Sequence, residues 1–414
     1  YAAATNGTGT TTYLYGFGLS NSTAWVVNST VTSPGCKEEG FGMAGSLYFQ
    51  SLAMSHGTSL YFEAEEGNWR GLFGYGLENG TLWRESSDEL DIYSEYTAHF
   101  DDVFYFGAYH NSSVGYALHA HNLSNGTTWL VLDASNGSTI RTGGFYDYKG
   151  RANAVGDVFF FTTYINSKDR YWGYNTSNGS AWEISSDENA GPGHVLDGVF
   201  YYASGDDGSS WSNPYLRLHA YNASNETSWR VHTRWDVKSI SEFGGVLYYS
   251  ADSTTSTGYY DNSLWAHNPT NGTTWEISDS VGDVRGDFVY AGGTLFYQFD
   301  TGNNYAYELW AYQPRNATAW QIADAGLNGG LFTSLGNTVY FTSHTNPPSS
   351  SVHELWAYNT ANETTWFVTN ISYPYETSSI FAGNTLYIQE GGGMRLHQPA
   401  SINYQTNTGG AVTS

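Results

Sequence analysis

Apolar and polar residues in this chain alternate in short runs, and no stretch keeps a 3.6-residue apolar period. The clearest runs are five residues long and open on a Gly, Asn or Asp turn signal: GSLYF (45–49), DVFYF (102–106), DVFFF (157–161) and GVFYY (198–202). Four more follow: GVLYY (245–249), GTLFY (293–297), NTVYF (337–341) and NTLYI (384–388). Aromatic and β-branched residues set out this way predict strands and no long helix.

A second segment recurs eight times, from LYGFGLSNSTAWVV at Leu14 through LHAYNASNETSWRV at Leu218 to LWAYNTANETTWFV at Leu355. Its tryptophans are Trp25, Trp83, Trp129, Trp182, Trp229, Trp275, Trp320 and Trp366, most of them 45–47 residues apart. Each unit reads as four short strands: DFVYAG, then TLFYQFD, a variable loop, YELWAYQ, a tight turn, and TAWQIAD. One four-stranded sheet cannot bury both faces, but sheets set side by side around an axis can. The expected fold is all-β: an eight-bladed β-propeller of four-stranded antiparallel blades. Residues 14–27 would give the last two strands of one blade and 377–390 the first two, so that the ends pair and close the ring. That organisation sets an N-terminal arm at 1–13, the propeller at 14–390 and a C-terminal tail at 391–414. The piece 394–399 resembles a ninth third strand. The two ends therefore fold back, or they add strands to a neighbouring copy and make a homopolymer through residues 1–13 and 391–414.

Within the third strand a ring, a small residue and another ring follow one another, as in Trp310-Ala311-Tyr312. The two rings share one sheet face and the small residue lies on the other, toward an adjacent blade. His119, His121, His219, His267 and His397 stand at ring positions and read as packing substitutes for aromatics.

Composition narrows the partners. The net charge is −24, with 15 Lys+Arg against 39 Asp+Glu, which excludes a nucleic-acid or anionic-membrane surface. The single cysteine, Cys36, excludes an intrachain disulfide and any zinc or iron–sulfur site built on a cysteine pair. No apolar run is long enough to span a bilayer. The first residue is Tyr1, which suggests a mature form after removal of an export signal.

All eight turns between third and fourth strands carry an Asn-x-Ser/Thr triplet, at Asn21, Asn79, Asn125, Asn178, Asn225, Asn271, Asn316 and Asn362. Asn and Gly favour such turns in their own right. Yet the triplet survives where Gly is lost, as in Asn225-Glu-Thr and Asn362-Glu-Thr, which marks these as N-glycan acceptors.

The repeated segments resemble the ELW-type repeats of secreted archaeal and bacterial surface proteins, shown by Glu308-Leu309-Trp310 and Glu354-Leu355-Trp356. They are also similar to kelch repeats. The step from Tyr312 to Trp320 is one residue longer than in kelch, and the Gly-Gly doublet of the second kelch strand is missing. The likeness covers about residues 14–390. It implies an exported role, extracellular or at the cell surface.

For chemistry, the chain offers no Gly-x-Ser-x-Gly elbow, His-Glu-x-x-His or Walker loop. No cofactor is expected. Asp206-Asp207-Gly208, 300–304 and 87–91 are the only oxygen-rich loops suited to Ca²⁺. Trp69, Trp211 and Trp235 lie outside the repeat positions and are candidates for ligand binding. The reading that follows is a non-enzymatic glycoprotein with a structural or adhesive role. The alternatives are a saccharide-binding propeller, and a propeller glycoside hydrolase, which requires two carboxyls facing each other.

Overall fold

Backbone amides in an aromatic, glycine-punctuated chain of this kind find their partners across strands, and the computed structural model contains only strands and turns among its described residues. Those residues are 2–5, 12–18, 23–28, 47–56, 59–66, 69–76, 82–85, 91–100, 102–111, 115–133, 139–141, 153–165, 168–185, 189–205, 216–253, 262–277, 283–300, 307–327, 332–343, 352–372, 379–382, 385–390 and 393–396.

The described strands form nine antiparallel sheets, covering residues 2–28, 47–84, 91–133, 139–183, 189–230, 240–276, 283–327, 332–372 and 379–396. Six are four-stranded with the strands bonded in chain order, one is five-stranded, and the first and last are three-stranded. The order fixes the ends of each four-stranded sheet. Turns from first to second and from third to fourth strand lie at one end. Links from second to third strand, and from one sheet to the next, lie at the other.

Consecutive sheets pack face to face. From 47–84 through 332–372 each sheet shares a buried apolar cluster with the next. Sheets stacked in this way make a β-propeller. The seam has a repeated contact. In five of the runs the fourth residue packs against the second ring of the next sheet's third strand. The pairs are Tyr105 with Tyr174, Phe160 with Tyr221, Tyr201 with His267, Tyr248 with Tyr312 and Phe296 with Tyr358, with centroids 5.8–6.2 Å apart and planes steeply inclined. Edge-on aromatic pairs of this kind contribute about 0.5–1.5 kcal/mol beyond area burial.

The fourth-strand tryptophan completes the seam. It sits directly across from the small residue of its own third strand: Gly173 opposite Trp182, Ala220 opposite Trp229, Ala311 opposite Trp320 and Ala357 opposite Trp366. Thus the small residue does face the adjacent sheet, and its own sheet's indole fills the space above it. Trp182 Nε1 then donates across the seam to the Tyr221 hydroxyl at 2.8 Å. The ELW motif has a similarly local cause. Glu308 and Glu354 accept from the indoles of Trp310 and Trp356 at 2.8 and 2.9 Å, two residues along the same face.

Three expectations need correction. GSLYF (45–49) is not a second strand. It runs into the first strand Leu47–His56, and the second is Ser59–Glu66, which repeats the letters SLYF. The similarity of the two runs disguised the register. The ends also pair differently from the expected two-plus-two blade. Strand Thr385–Glu390 bonds to Gly393–Leu396, and Thr12–Gly18 bonds to Ala2–Thr5. Each free edge is thus covered by its own terminal strand, and these two terminal strands approach each other. The third concerns the turns. Asn Oδ1 accepts from the amide (2.9–3.3 Å) and the hydroxyl (2.6–2.7 Å) of the Thr or Ser two residues on, at Asn125, Asn178, Asn225, Asn271, Asn316 and Asn362. The triplet therefore has a structural use of its own, and its survival without Gly does not by itself require a glycan.

The residue between them is left-handed. Gly126, Gly179 and Gly272 have φ of 69–73°, and Glu226, Ala317 and Glu363 are held at 54–56°. A side chain there costs about 1–2 kcal/mol, part of which Gly returns as unfolded-state entropy. Glu226→Gly, Ala317→Gly and Glu363→Gly are therefore each expected to stabilise by about 0.5–1 kcal/mol, additively across distant turns, in equilibrium denaturation. Gly173→Ala is expected to destabilise by about 1–3 kcal/mol. Its Cβ would lie 2.8 Å from the Trp182 ring, displacing the indole that bonds Tyr221.

Candidate active site

The link between sheets 189–230 and 240–276 breaks the strand pattern. Residues 231–239 form no strand, although backbone bonds tie them down: Val237 N–H to Leu216 C=O, and Asp252 N–H to Trp235 C=O. This segment holds Trp235, 43% exposed, with the Arg217 guanidinium 5.7 Å from the ring centroid. Asp236 follows at φ 61°, a conformation that non-glycine residues adopt at some cost and that recurs at functional sites.

Asp236 meets a second carboxylate. Asn262 opens the third strand of sheet 240–276 and Asp283 opens the first strand of the next sheet, both at the same end as the link. Asn262 Nδ2 donates to Asp236 Oδ2 at 2.9 Å and to Asp283 Oδ1 at 2.7 Å. Lys238 Nζ lies 2.8 Å from Asp236 and 3.6 Å from Asp283. Two carboxylates that share one donor are separated by no more than about 6 Å, the length of two hydrogen bonds. The amide orientation follows from the acceptors, since turning Asn262 over would set its oxygen against two anions. Its Oδ1 accepts no hydrogen bond among the described residues. Asp283 is nearly buried, whereas Asp236 and Lys238 reach solvent.

The same link also carries His232. Its Nδ1 is 3.0 Å from the Tyr249 hydroxyl, and its ring centroid is 4.4 Å from that of Trp265. Burial, with Arg234 and His267 adding to it, lowers the His232 pKa to about 4, against the opposing pull of Glu276. Burial alone pushes the Tyr249 hydroxyl well up.

A different polar group occupies the seam between sheets 47–84 and 91–133. His121 Nε2 lies 2.8 Å from Glu85, and His121 Nδ1 lies 2.8 Å from the Thr128 hydroxyl. Trp83 also donates to Glu85. Burial raises the Glu85 pKa, but the bonds from His121 and Trp83 outweigh it and hold the carboxyl below its usual range. This set stands where Trp182 bonds Tyr221 in another seam, so His121 does replace a packing ring. His119 likewise stacks on Phe106 with centroids 5.8 Å apart.

Of the residues singled out from sequence, Trp235 alone joins this group. Trp69 begins the strand Trp69–Gly76, and Trp211 lies outside the described residues. Asn21, Asn79, Cys36, Asp206-Asp207-Gly208 and most of the other two acidic loops also lie outside them. No cluster of three or more potential metal ligands occurs among the described residues. No helix there is long and apolar enough to cross a membrane. Asp236, Lys238, Asn262 and Asp283 were not foreseen. Their one sequence signal was a tryptophan placed outside the repeat in a stretch without strand alternation.

No family model and no curated protein matches this chain. Solved structures do. The chain superposes on Porphyromonas gingivalis dipeptidyl peptidase 4 with a TM-score of 0.56 and 10% identity, over 94% of this chain and 63% of that one. It also matches the β-propeller domain of the Trilobed protease from Pyrococcus furiosus (TM-score 0.43, 10% identity, 80% and 98% of the two chains). A third is oligogalacturonate lyase from Vibrio parahaemolyticus (0.44, 9% identity, 84% and 95%). The chain spans 57% of the Mycobacterium tuberculosis puromycin-hydrolysing peptidase and 63% of the dipeptidyl peptidase chain. The dipeptidyl peptidase superposition overturns the expectation of a non-enzymatic structural or adhesive protein. That expectation leaned on the resemblance to surface repeats and on the lack of catalytic motifs in the sequence, whereas 94% of this chain superposes on part of an enzyme chain.

His232 gives the fold a pH signature. Burial holds its pKa at about 4 in the folded chain, against the usual 6.5 when unfolded. Between those values the unfolded chain binds a proton that the folded chain refuses, so stability falls as pH drops through the window. Allowing for solvent screening, the loss is on the order of 2 kcal/mol. Urea midpoints measured from pH 7 to pH 4 are expected to fall more steeply for the native protein than for His232→Gln.

Proposed function

We propose that this chain is an eight-bladed propeller enzyme that hydrolyses glycosidic bonds with the Asp236–Asp283 pair. The observation carrying the proposal is two carboxylates bridged by one amide and one ammonium, beside an exposed indole. Carboxylates about 5–5.5 Å apart suit a double displacement with retention of configuration. Asp236, the more exposed and the closer to Lys238, serves as nucleophile. Asp283, withdrawn from water, protonates the departing oxygen and then activates water. Trp235 presents a face on which a sugar ring stacks, and Arg217 steadies that indole.

The eight tryptophan repeats support the blade count. The approach of Ala2–Thr5 to Gly393–Leu396 supports closure of the ring within one chain. The resemblance to ELW-type repeats supports export from the cytoplasm.

A second reading is favoured by the dipeptidyl peptidase superposition, which uses 94% of this chain but 63% of that one. In it this chain is the propeller portion of a longer peptide-cleaving protein, and Asp236 and Asp283 only hold the seam.

Turnover of aryl glycosides and of dipeptidyl anilides separates the two. Asp236→Asn and Asp283→Asn are expected to lower glycoside kcat by about 10²–10⁴-fold, and Trp235→Ala to raise KM with kcat largely kept. Full glycoside activity in both Asn variants, or cleavage of anilides only, rejects the first reading.

A further inference from the structure

Six described turns between third and fourth strands put an asparagine at the surface: Asn125, Asn178, Asn225, Asn271, Asn316 and Asn362. In all six the bonds to the following Thr or Ser use Oδ1. An aspartate offers the same acceptor and is equally suited to such turns. The left-handed residue is the one after the asparagine, so backbone conformation does not select Asn either. Turns between first and second strands take Asp readily, at Asp102, Asp157 and Asp197. Yet all eight third-to-fourth turns of the sequence have Asn and none has Asp. What Asn has and Asp lacks is Nδ2, the atom these turn bonds leave out and the atom that carries an N-linked sugar.

An independent feature points the same way. The exposed large apolar side chains among the described residues are Leu130, Trp229, Trp235 and Phe367. Leaving aside Trp235, each follows a turn asparagine by four or five residues on the fourth strand: Leu130 after Asn125, Trp229 after Asn225 and Phe367 after Asn362. The separation is about 13–17 Å along a strand, which a short oligosaccharide spans. Sugar rings have apolar faces that cover such side chains.

We infer that Asn125, Asn178, Asn225, Asn271, Asn316 and Asn362 carry N-linked glycans, which form a saccharide rim at one end of the sheets. The turns and the inter-sheet links are at opposite ends, so this rim lies away from Trp235, Asp236 and Asp283. The inference does not depend on what reaction that site performs.

The chain supplies its own contrast. Asn122, Asn175 and Asn222 also begin Asn-x-Ser triplets, but they are only half-exposed. Ser124 and Ser177 turn their hydroxyls to Asp102 and Asp157 instead of to their own asparagine.

The test uses protein purified from its natural source. Its mass is expected to fall on deglycosylation, and electron-transfer fragmentation of its peptides to locate sugars on the six turn asparagines. Asn225→Asp, made in the same host, is expected to keep the thermal midpoint and to lose the mass of one glycan. Bare peptides at all six positions overturn the inference. So does sugar confined to Asn122, Asn175 and Asn222, or an Asn225→Asp protein whose mass shows no glycan lost.

Discussion

Stability in this protein rests on a contact between sheets, made in the same way at five successive seams. A ring from the second strand of one sheet meets, edge-on, a ring from the third strand of the next. The tryptophan of the first sheet lies beside them over a Gly or Ala. A four-stranded sheet on its own leaves two apolar faces wet. Burial against neighbours on both sides is shared by each sheet from 91–133 through 283–327. The polar atoms of the seam are placed under the same demand. Several indole N–H groups buried with the rings find acceptors: Tyr221 across the seam for Trp182, Glu308 or Glu354 along the strand for Trp310 and Trp356, and Glu85 for Trp83.

The candidate site departs from this rule. At the link before strand Ile240–Phe243 the repeat gives way to a left-handed aspartate, a lysine and an outward indole. Asn262 and Asp283, both opening strands, meet them there. The polar group occupies the strand starts because backbone pairing is incomplete at that point, and side-chain donors supply what the ladder does not. The carboxylate pair placed so is held from two sheets at once, through Asn262 of one and Asp283 of the next.

Much of the architecture was legible in the chain. Strand alternation, the tryptophan period and the turn triplets all depend on residues near in sequence, and the structure places most of the five-residue runs as read. The exceptions have physical causes. GSLYF and SLYF are alike in pattern, and only cross-strand pairing tells first strand from second. The terminal strands Ala2–Thr5 and Gly393–Leu396 are short and weakly patterned, so nothing local showed that they would cover the edges. The site was illegible for a different reason: Asp236, Asn262 and Asp283 belong to three strand junctions that only packing brings together. Trp235 stood out because an indole off the repeat is conspicuous on its own.

The seam has one consequence for how such a chain arises. Each sheet offers one kind of face forward and its complement backward, so the junction left by excising a unit, or made by copying one, matches at once. Lengthening or shortening of the gene by whole units would keep folded intermediates at every step.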